Sequence, residues 1–423
     1  MTTTERVLFQ PFSIGKLQIA GRLIKTATSE TRATADGFAT PKHVEFYEPI
    51  AEGGTPLIIT GNLYTSRDGQ STPNQMGIDD DDKIPGLRSL TDAVRRHGSK
   101  IFAQLSHCGR QVLPAYVGLQ ESLSASAVMD LSTGTKPRAL RMDEIRRKVE
   151  EFGDAALRSR KAGFDGVQIH AGHGYLVSQF LTPYINRRED EYGGSLENRV
   201  RFLREILGNI RAKAGPDFPV IMKLNGSDYL PLRRGLKTPE LVEIAKILEK
   251  DGLDGVEISV GHYESGFPVV RGTFWSCMRA MARGSARFLP LFRRLIMQSL
   301  WPVFALLFNL IWRRRQGYNL RYARQFTSAL DIPVICVGGF LTAERMEQAI
   351  RDGDCDAVSG GRSFIANPYL YRQLRDNVEG PRCVFCNACV GLIGSQPLDC
   401  YHPEVRKVKD AMLAGSTSGG TPP

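Results

Sequence analysis

Pro333-Val334-Ile335-Cys336-Val337-Gly338-Gly339, followed by Thr342 to Asp352 and then by Ala357-Val358-Ser359-Gly360-Gly361-Arg362, reads as strand, helix, strand. A continuous apolar run such as Val-Ile-Cys-Val suits a strand buried on both faces, as in a parallel sheet covered by helices. Thr342-Ala343-Glu344 gives the intervening helix an N-cap. The same alternation runs back toward the N-terminus. Strands are predicted over Leu23 to Thr28, Pro56 to Asn62, Lys100 to His107, Gly166 to Gly172, Pro219 to Asn225 and Gly255 to Gly261, which with the first two makes eight. Amphipathic helices are predicted over Asp143 to Ala162, Leu196 to Ala214 and Thr238 to Asp251, the last behind Thr238-Pro239-Glu240. Eight strand-and-helix units indicate an α/β chain closed as a (β/α)8 TIM barrel rather than an open doubly wound sheet. No Gly-x-Gly-x-x-Gly fingerprint follows an early strand to support the open alternative.

With 423 residues and 42% apolar content, the chain has material for one such barrel, typically about 250 residues or more, plus additions. The expected organisation is a barrel over 1–375 interrupted by a basic and apolar insertion at 271–324, a cysteine-containing extension at 376–412, and a disordered tail at 413–423. Of the 8 cysteines, Cys108, Cys277, Cys336 and Cys355 are scattered while Cys383, Cys386, Cys389 and Cys400 cluster, a usage that suits a reducing compartment. No apolar stretch follows a basic start, so neither a secretory leader nor an N-terminal anchor is expected, and the expected address is cytoplasmic. The net charge of +10 is local: residues 271–324 hold eleven arginines and no Asp, Glu, Lys or His. Bulk charge therefore gives no argument for a nucleic-acid partner.

In barrels of this kind the working residues lie where strands end and loops begin. Gln104 and His107 end strand three, His170, His173 and Tyr175 follow strand four, Lys223 lies on strand five, and His262 and Tyr263 follow strand six. Gly338-Gly339 and Gly360-Gly361-Arg362 fall where barrels hold phosphate: glycines admit backbone N–H groups to the oxygens, a helix starts near Thr342, and Arg362 offers a forked charge. Glycines that merely permit tight turns are the plain alternative. His170 and His173 can donate to a carbonyl oxygen, and a phenol such as Tyr175 is protonated at neutral pH and can give its proton away. A metal bound by the histidines and a purely structural pair are the alternatives, although no carboxylate or cysteine stands at ligand spacing beside them. Lys223 is a charge inside a buried strand, costly unless an anion faces it; a reduced flavin would supply one, and a side chain snorkelling to solvent is the alternative.

The segments Leu8-Phe9-Gln10-Pro11-Phe12, Gly21-Arg22-Leu23-Ile24, Gln104-Leu105-Ser106-His107-Cys108-Gly109-Arg110-Gln111, His170 to Tyr175, Gln179-Phe180-Leu181 and Asn186 to Arg199, with its Glu191-Tyr192-Gly193-Gly194-Ser195-Leu196-Glu197-Asn198-Arg199, resemble the Old Yellow Enzyme or NADH:flavin oxidoreductase family. The resemblance covers roughly residues 7 to 375 apart from the arginine-rich insertion, and strand five leans toward the 2,4-dienoyl-CoA-reductase-like branch. It implies FMN across the barrel mouth, with Gln104 at the pyrimidine edge, Lys223 near N1 and O2, Ser29 near O4, and Gly338, Gly339, Gly361 and Arg362 at the phosphate. It further implies that hydride passes from NAD(P)H to flavin and then to the β-carbon of a small unsaturated carbonyl compound. His170 and His173 would hold the carbonyl oxygen and Tyr175 would protonate the α-carbon. His262 and Tyr263 resemble an extra polar contact to substrate in that branch, with the order altered. Readings that remain open are a flavin dehydrogenase or demethylase on the same fold, and a catalytically silent membrane-attached barrel.

Cys383, Cys386, Cys389 and Cys400 have spacing able to hold an iron–sulfur cluster, which the dienoyl-CoA-like branch carries after its barrel as a four-cysteine 4Fe-4S site. Zinc and a remnant packed as thiols are the alternatives. Within the insertion, Leu295 to Trp312 form an uncharged run of 18 with arginines at both ends. A bilayer span is opposed by topology, because strands six and seven flank the run and must pair in one barrel. The expectations are a segment lying on an anionic membrane surface through 279–316, a lid or dimer helix, or a re-entrant hairpin.

Overall fold

The computed structural model describes residues 6–230, 234–266, 268–284, 286 and 289–417. Eight parallel strands close into a barrel: β1 (Leu23–Lys25), β2 (Leu57–Tyr64), β3 (Lys100–Ser106), β4 (Gly166–His170), β5 (Val220–Asn225), β6 (Gly255–Ser259), β7 (Val334–Val337) and β8 (Ala357–Gly360). Closure is made by β8 on β1, with Val358 opposite Leu23 and Gly360 opposite Lys25. The strands are buried along almost their whole length, as a parallel sheet covered by helices requires. All eight expected strands are present. Most end one to three residues earlier than their apolar runs suggest, because the last residues turn out of the ladder to carry the mouth of the barrel.

Around the strands lie α1 (Pro41–Glu52), α2 (Ile84–Arg95), α3 (Met142–Lys161), α4 (Leu196–Ala214) and α5 (Thr238–Lys250). After β6 the chain leaves the barrel layer as α6 (Trp275–Arg283) and α7 (Leu291–Ile311), then rejoins it as α8 (Leu320–Thr327); α9 (Ala343–Arg351) links β7 to β8. Thr342 caps α9 through its hydroxyl, which accepts from the Arg345 N–H, whereas Thr238 is the first helical residue of α5 and Lys237 occupies the cap position. The excursion is shorter than the expected 271–324, since Tyr322, Ala323 and Phe326 of α8 are core residues packed among the barrel's helices and strands. At the other end of the chain, α10 (Leu370–Asp376) precedes the cysteine segment and α11 (Pro403–Thr417) follows it. The expected disordered tail is therefore helical through Thr417, and residues 418–423 lie outside the described residues.

The interior of the barrel is two-tiered. At the N-terminal end Ile24, Leu57, Ile59, Phe102, Ile221 and Ile335 form an apolar layer, plugged from below by Phe12, Ile14 and Ile19 of the hairpin Phe12–Ile14/Leu17–Ile19. At the C-terminal end the inward side chains are polar, which places the chemistry there.

Candidate active site

Lys223 and Glu257 are register partners on β5 and β6, and their charges meet at 3.1 Å. The Lys223 ammonium also donates to Thr26 Oγ1 at 2.8 Å. Glu257 accepts from Gln168 Nε2 at 2.8 Å and from Ser359 Oγ at 2.6 Å, and Gln168 Oε1 accepts from Gln104 Nε2 at 2.6 Å. Burial pushes the Glu257 carboxyl up, but Lys223 and the Ser359 hydroxyl more than reverse that and hold it below the usual carboxylate range. Glu257 is thus an anion facing Lys223 from within the barrel, and the lysine side chain, 5% exposed, does not snorkel to solvent. The ammonium is already balanced from within the barrel, since an unpaired buried charge is far costlier than a paired one. Glu257 and Gln168 escaped the sequence reading. Their signal was a lone polar residue at the same depth of neighbouring strands.

His170 ends β4 directly opposite Lys223. Its ring stands edge-on to Tyr175 at 4.6 Å and to His173 at 5.1 Å. His173 sits at φ 58° in the left-handed region, held by its N–H donating to Asn225 Oδ1 at 3.1 Å, and its Nε2 lies 2.7 Å from Ser259 Oγ. Burial first, then the neighbouring imidazole and the Lys223 cation, keep His170 well below the usual range; burial and Lys223 bring His173 down to about 3. Both rings are thus neutral. The Nδ1 of His170 accepts from the Gly172 N–H at 3.4 Å, which leaves its Nε2 as the N–H donor. Tyr175 is buried, its phenol pushed well above its ordinary value by burial and then by Tyr263, whose hydroxyl lies 3.2 Å from its own. A protonated phenol and a neutral N–H donor therefore share one face.

His262 and Tyr263 separate. Tyr263 is half-exposed at the rim. The His262 side chain is fully buried, 3.8 Å from Asp228 Oδ1, and its ring fills the space over Gly174, where a Cβ would collide with it. The expectation of His262 as a substrate contact is corrected: it packs beneath the His173-Gly174 turn.

Toward β7 and β8, Gly339 lies at φ +69° under the Tyr318 ring, and Gly361 abuts Thr26 and Thr28 of the first strand's loop. Arg271 stacks over Tyr318 at 4.6 Å, and its buried Nε has no hydrogen-bond partner among the described residues. Arg362 faces outward from this cradle: it donates to the Arg271 carbonyl at 2.7 Å and to Asn387 Oδ1, and stacks over Phe385 at 4.6 Å. Tyr318 and Arg271 were missed because they belong to the excursion after β6. In the same loop as Thr28, Ser29 Oγ donates to Asn62 Oδ1 at 2.7 Å. Cys383, Cys386, Cys389 and Cys400 line one cavity together with Arg362, Asn387 and Tyr401. Among the described residues no three His, Cys, Asp or Glu side chains stand grouped as ligands of a single metal ion, at the cysteines or at the histidine pair.

Residues 7–282 match the NADH:flavin oxidoreductase / NADH oxidase family. The chain is 31% identical over 388 residues to an NADH oxidase of Thermoanaerobacter brockii, covering 91% of this chain and 53% of that protein. Its fold superposes on a 2-naphthoyl-CoA reductase in complex with 2-naphthoyl-CoA with a TM-score of 0.79 at 26% identity, covering 96% of this chain and 58% of the other. An old yellow enzyme homologue from Zymomonas mobilis gives 0.68 at 28% identity, with coverage of 88% and 93%. The chain spans about half the length of the curated relatives it matches first. With an eight-stranded barrel whose polar tier and histidine–tyrosine face lie at the C-terminal mouth, the chain belongs to the NADH:flavin oxidoreductase family, on the fold of the old yellow enzymes.

Proposed function

We propose that the chain holds FMN across the C-terminal mouth of its barrel and, with NAD(P)H as co-substrate, reduces the activated C=C bond of an α,β-unsaturated carbonyl compound. The observation that carries this is the neutral His170 ring, edge-on to both neutral His173 and protonated Tyr175. The fit to FMN rests on the buried Arg271 Nε, without a hydrogen-bond partner among the described residues, on a guanidinium stacked over the Tyr318 ring that covers the Gly339 turn, a cation poised for a phosphate. Gly338, Gly339 and Gly361 complete that end, while Arg362, expected there, is engaged with Asn387 and Phe385 on the cysteine side; Gln104, Lys223 and Ser29 are the polar groups nearest the ring's expected place. When bound, the flavin supplies two-electron redox chemistry. The Nε2–H of His170, with His173, binds the substrate carbonyl oxygen where negative charge grows as the double bond is reduced, so both stabilise the transition state more than the ground state. Tyr175 holds the proton for the α-carbon. Lys223, tied to Thr26 and Glu257, adds to the burial that keeps both imidazoles neutral.

The four cysteines are assigned to a 4Fe-4S cluster, and the chain to the 2,4-dienoyl-CoA-reductase-like branch. Support comes from their shared cavity and from the Arg362 guanidinium beside it, which offsets the charge of cluster-bound thiolates. Anaerobically purified protein tests both parts: flavin bands that bleach with NAD(P)H and return with cyclohexenone, together with iron and acid-labile sulfide. Bleaching only by an amine or alcohol donor would replace ene reduction with substrate oxidation. A colourless protein that takes up no FMN would end the proposal.

A further inference from the structure

The outer face of α7 is an apolar surface left bare. Ten of the exposed large hydrophobic side chains of the described residues lie on this one helix, from Leu291 at 69% exposure to Ile311 at 59%. Its inner face is spoken for: Met297, Trp301, Phe304 and Phe308 pack against Phe274, Cys277 and Met278 of the α6 region. Two apolar faces on one helix mean that the outer one meets something other than water.

A helix of 21 residues is about 30 Å long, enough to cross a bilayer by length alone. Its tethers forbid that. The Trp312 carbonyl accepts from the Gly272 N–H at 3.0 Å, Asn309 Oδ1 accepts from the Phe274 N–H at 2.7 Å, and the Arg293 guanidinium lies against Gly134 in the loop between β3 and β4. Both ends are held to one rim of the barrel, so α7 lies along that rim.

Charge selects the occupant. Arg279, Arg283, Arg293, Arg294 and Arg313 to Arg315 border the helix, and no carboxylate occurs between residues 271 and 324. A two-fold contact between copies of this chain through α7 would set arginines against arginines. An anionic leaflet offers each of them a partner and gives the apolar stripe a hydrocarbon layer to enter. The inner face of the same helix abuts the mouth. The Phe308 ring lies against Gly266, which closes the turn Tyr263–Ser265, and the Tyr263 hydroxyl is 3.2 Å from that of Tyr175. Exposed Leu131, next to this turn, donates its N–H to Glu264 Oε1 at 2.7 Å.

We propose that α7 lies flat in the interfacial layer of an anionic lipid leaflet and that, given the ene-reductase reading of the mouth, the unsaturated carbonyl substrate is an apolar molecule drawn from that leaflet. Such a molecule would reach Tyr263 and Tyr175 along the apolar rim without passing through water.

Flotation of the flavin-loaded full chain with vesicles of phosphatidylcholine, with or without phosphatidylglycerol, tests the docking. Wild type is expected to float at least about tenfold better when the anionic lipid is present. The triple variant Leu295→Glu, Leu306→Glu, Leu310→Glu changes only outward side chains; it is expected to stay in solution with an unaltered visible spectrum and unaltered reduction of water-soluble cyclohexenone. With a long-chain 2-alkenal carried in the anionic vesicles, wild type is expected to outpace this variant by about tenfold, the gain of reacting at the surface where the substrate is concentrated. Wild type that does not float, or a variant that floats equally, overturns the docking. A solution dimer that the variant dissociates, with neither protein floating, makes α7 a subunit interface and overturns it as well. Lost flotation with unchanged alkenal kinetics overturns the leaflet-borne substrate. Absence of cyclohexenone reduction in both proteins strikes the ene-reductase reading instead, and flotation then still decides the docking.

Discussion

Tyr175 is where the proposed chemistry is most exposed to a single-atom test. Its phenol is kept protonated by burial and faces the neutral His170 ring at 4.6 Å, so Tyr175→Phe removes a proton and little else. Alkene reduction is expected to slow by about a hundredfold or more, while flavin reduction by NAD(P)H stays near wild type in stopped-flow measurements of the two half-reactions. Equal losses in both would contradict the proton-donor role. The Lys223–Glu257 pair makes a second residue-scale claim, this time about stability. Glu257→Ala leaves a buried ammonium without its anion and is expected to cost about 3–5 kcal/mol in denaturant unfolding; a cost below about 1 kcal/mol would mean that the pair is dispensable. The sequence marked Lys223 as a charge inside an apolar strand, Val-Ile-Met-Lys-Leu-Asn, with snorkelling to solvent as the alternative. It could not name Glu257, because two residues on different strands become neighbours only once the register of β5 and β6 is set.

At the scale of elements, the strands and long helices follow from local pattern, while the turns and the excursion follow from packing. Leu196–Ala214 is helical over the expected range, with the Ser195 hydroxyl accepting from the Asn198 N–H as its cap. The β7–α9 turn depends on Gly339, at φ +69° with the Tyr318 ring where a Cβ would press. Gly339→Ala is expected to destabilise by about 1–2 kcal/mol through the left-handed backbone and to weaken FMN retention on gel filtration. Full retention of flavin would remove this turn from the phosphate site. The excursion was legible as unusual from its eleven arginines and its uncharged run. Its end was not legible, because α8 shares the arginine-rich composition yet buries Tyr322 and Phe326 in the barrel's helical layer. Composition reports what a segment is made of, whereas burial depends on what it meets.

Across the whole molecule, four of the histidines are held below their ordinary value, each first by burial: His43 down to about 4, His173 to about 3, and His170 and His262 in the same direction. An unfolded chain protonates these imidazoles near pH 6.5, whereas the folded chain does not. Below that point the unfolded state binds more protons, so stability falls as the medium is acidified from pH 7 toward 5, by up to about 1.4 kcal/mol per imidazole per pH unit. Glu30 and Asp130, whose carboxyls burial pushes up, act in the opposite sense above their ordinary values, two groups against four. Thermal unfolding across that range checks the sign, and a melting temperature that rises on acidification would refute it. By itself, the sequence determined the barrel, its eight strands, the family and the polar residues gathered at strand ends, because strand periodicity, caps and short motifs are local properties of the chain. The tertiary structure alone decided that Lys223 is answered by Glu257, that His262 is packing while Tyr263 is rim, that Arg362 turns toward the cysteines, and that α7 is left bare. Each of those depends on which side chains are brought within a few ångströms across the barrel, and distance between strands is not written in any one of them.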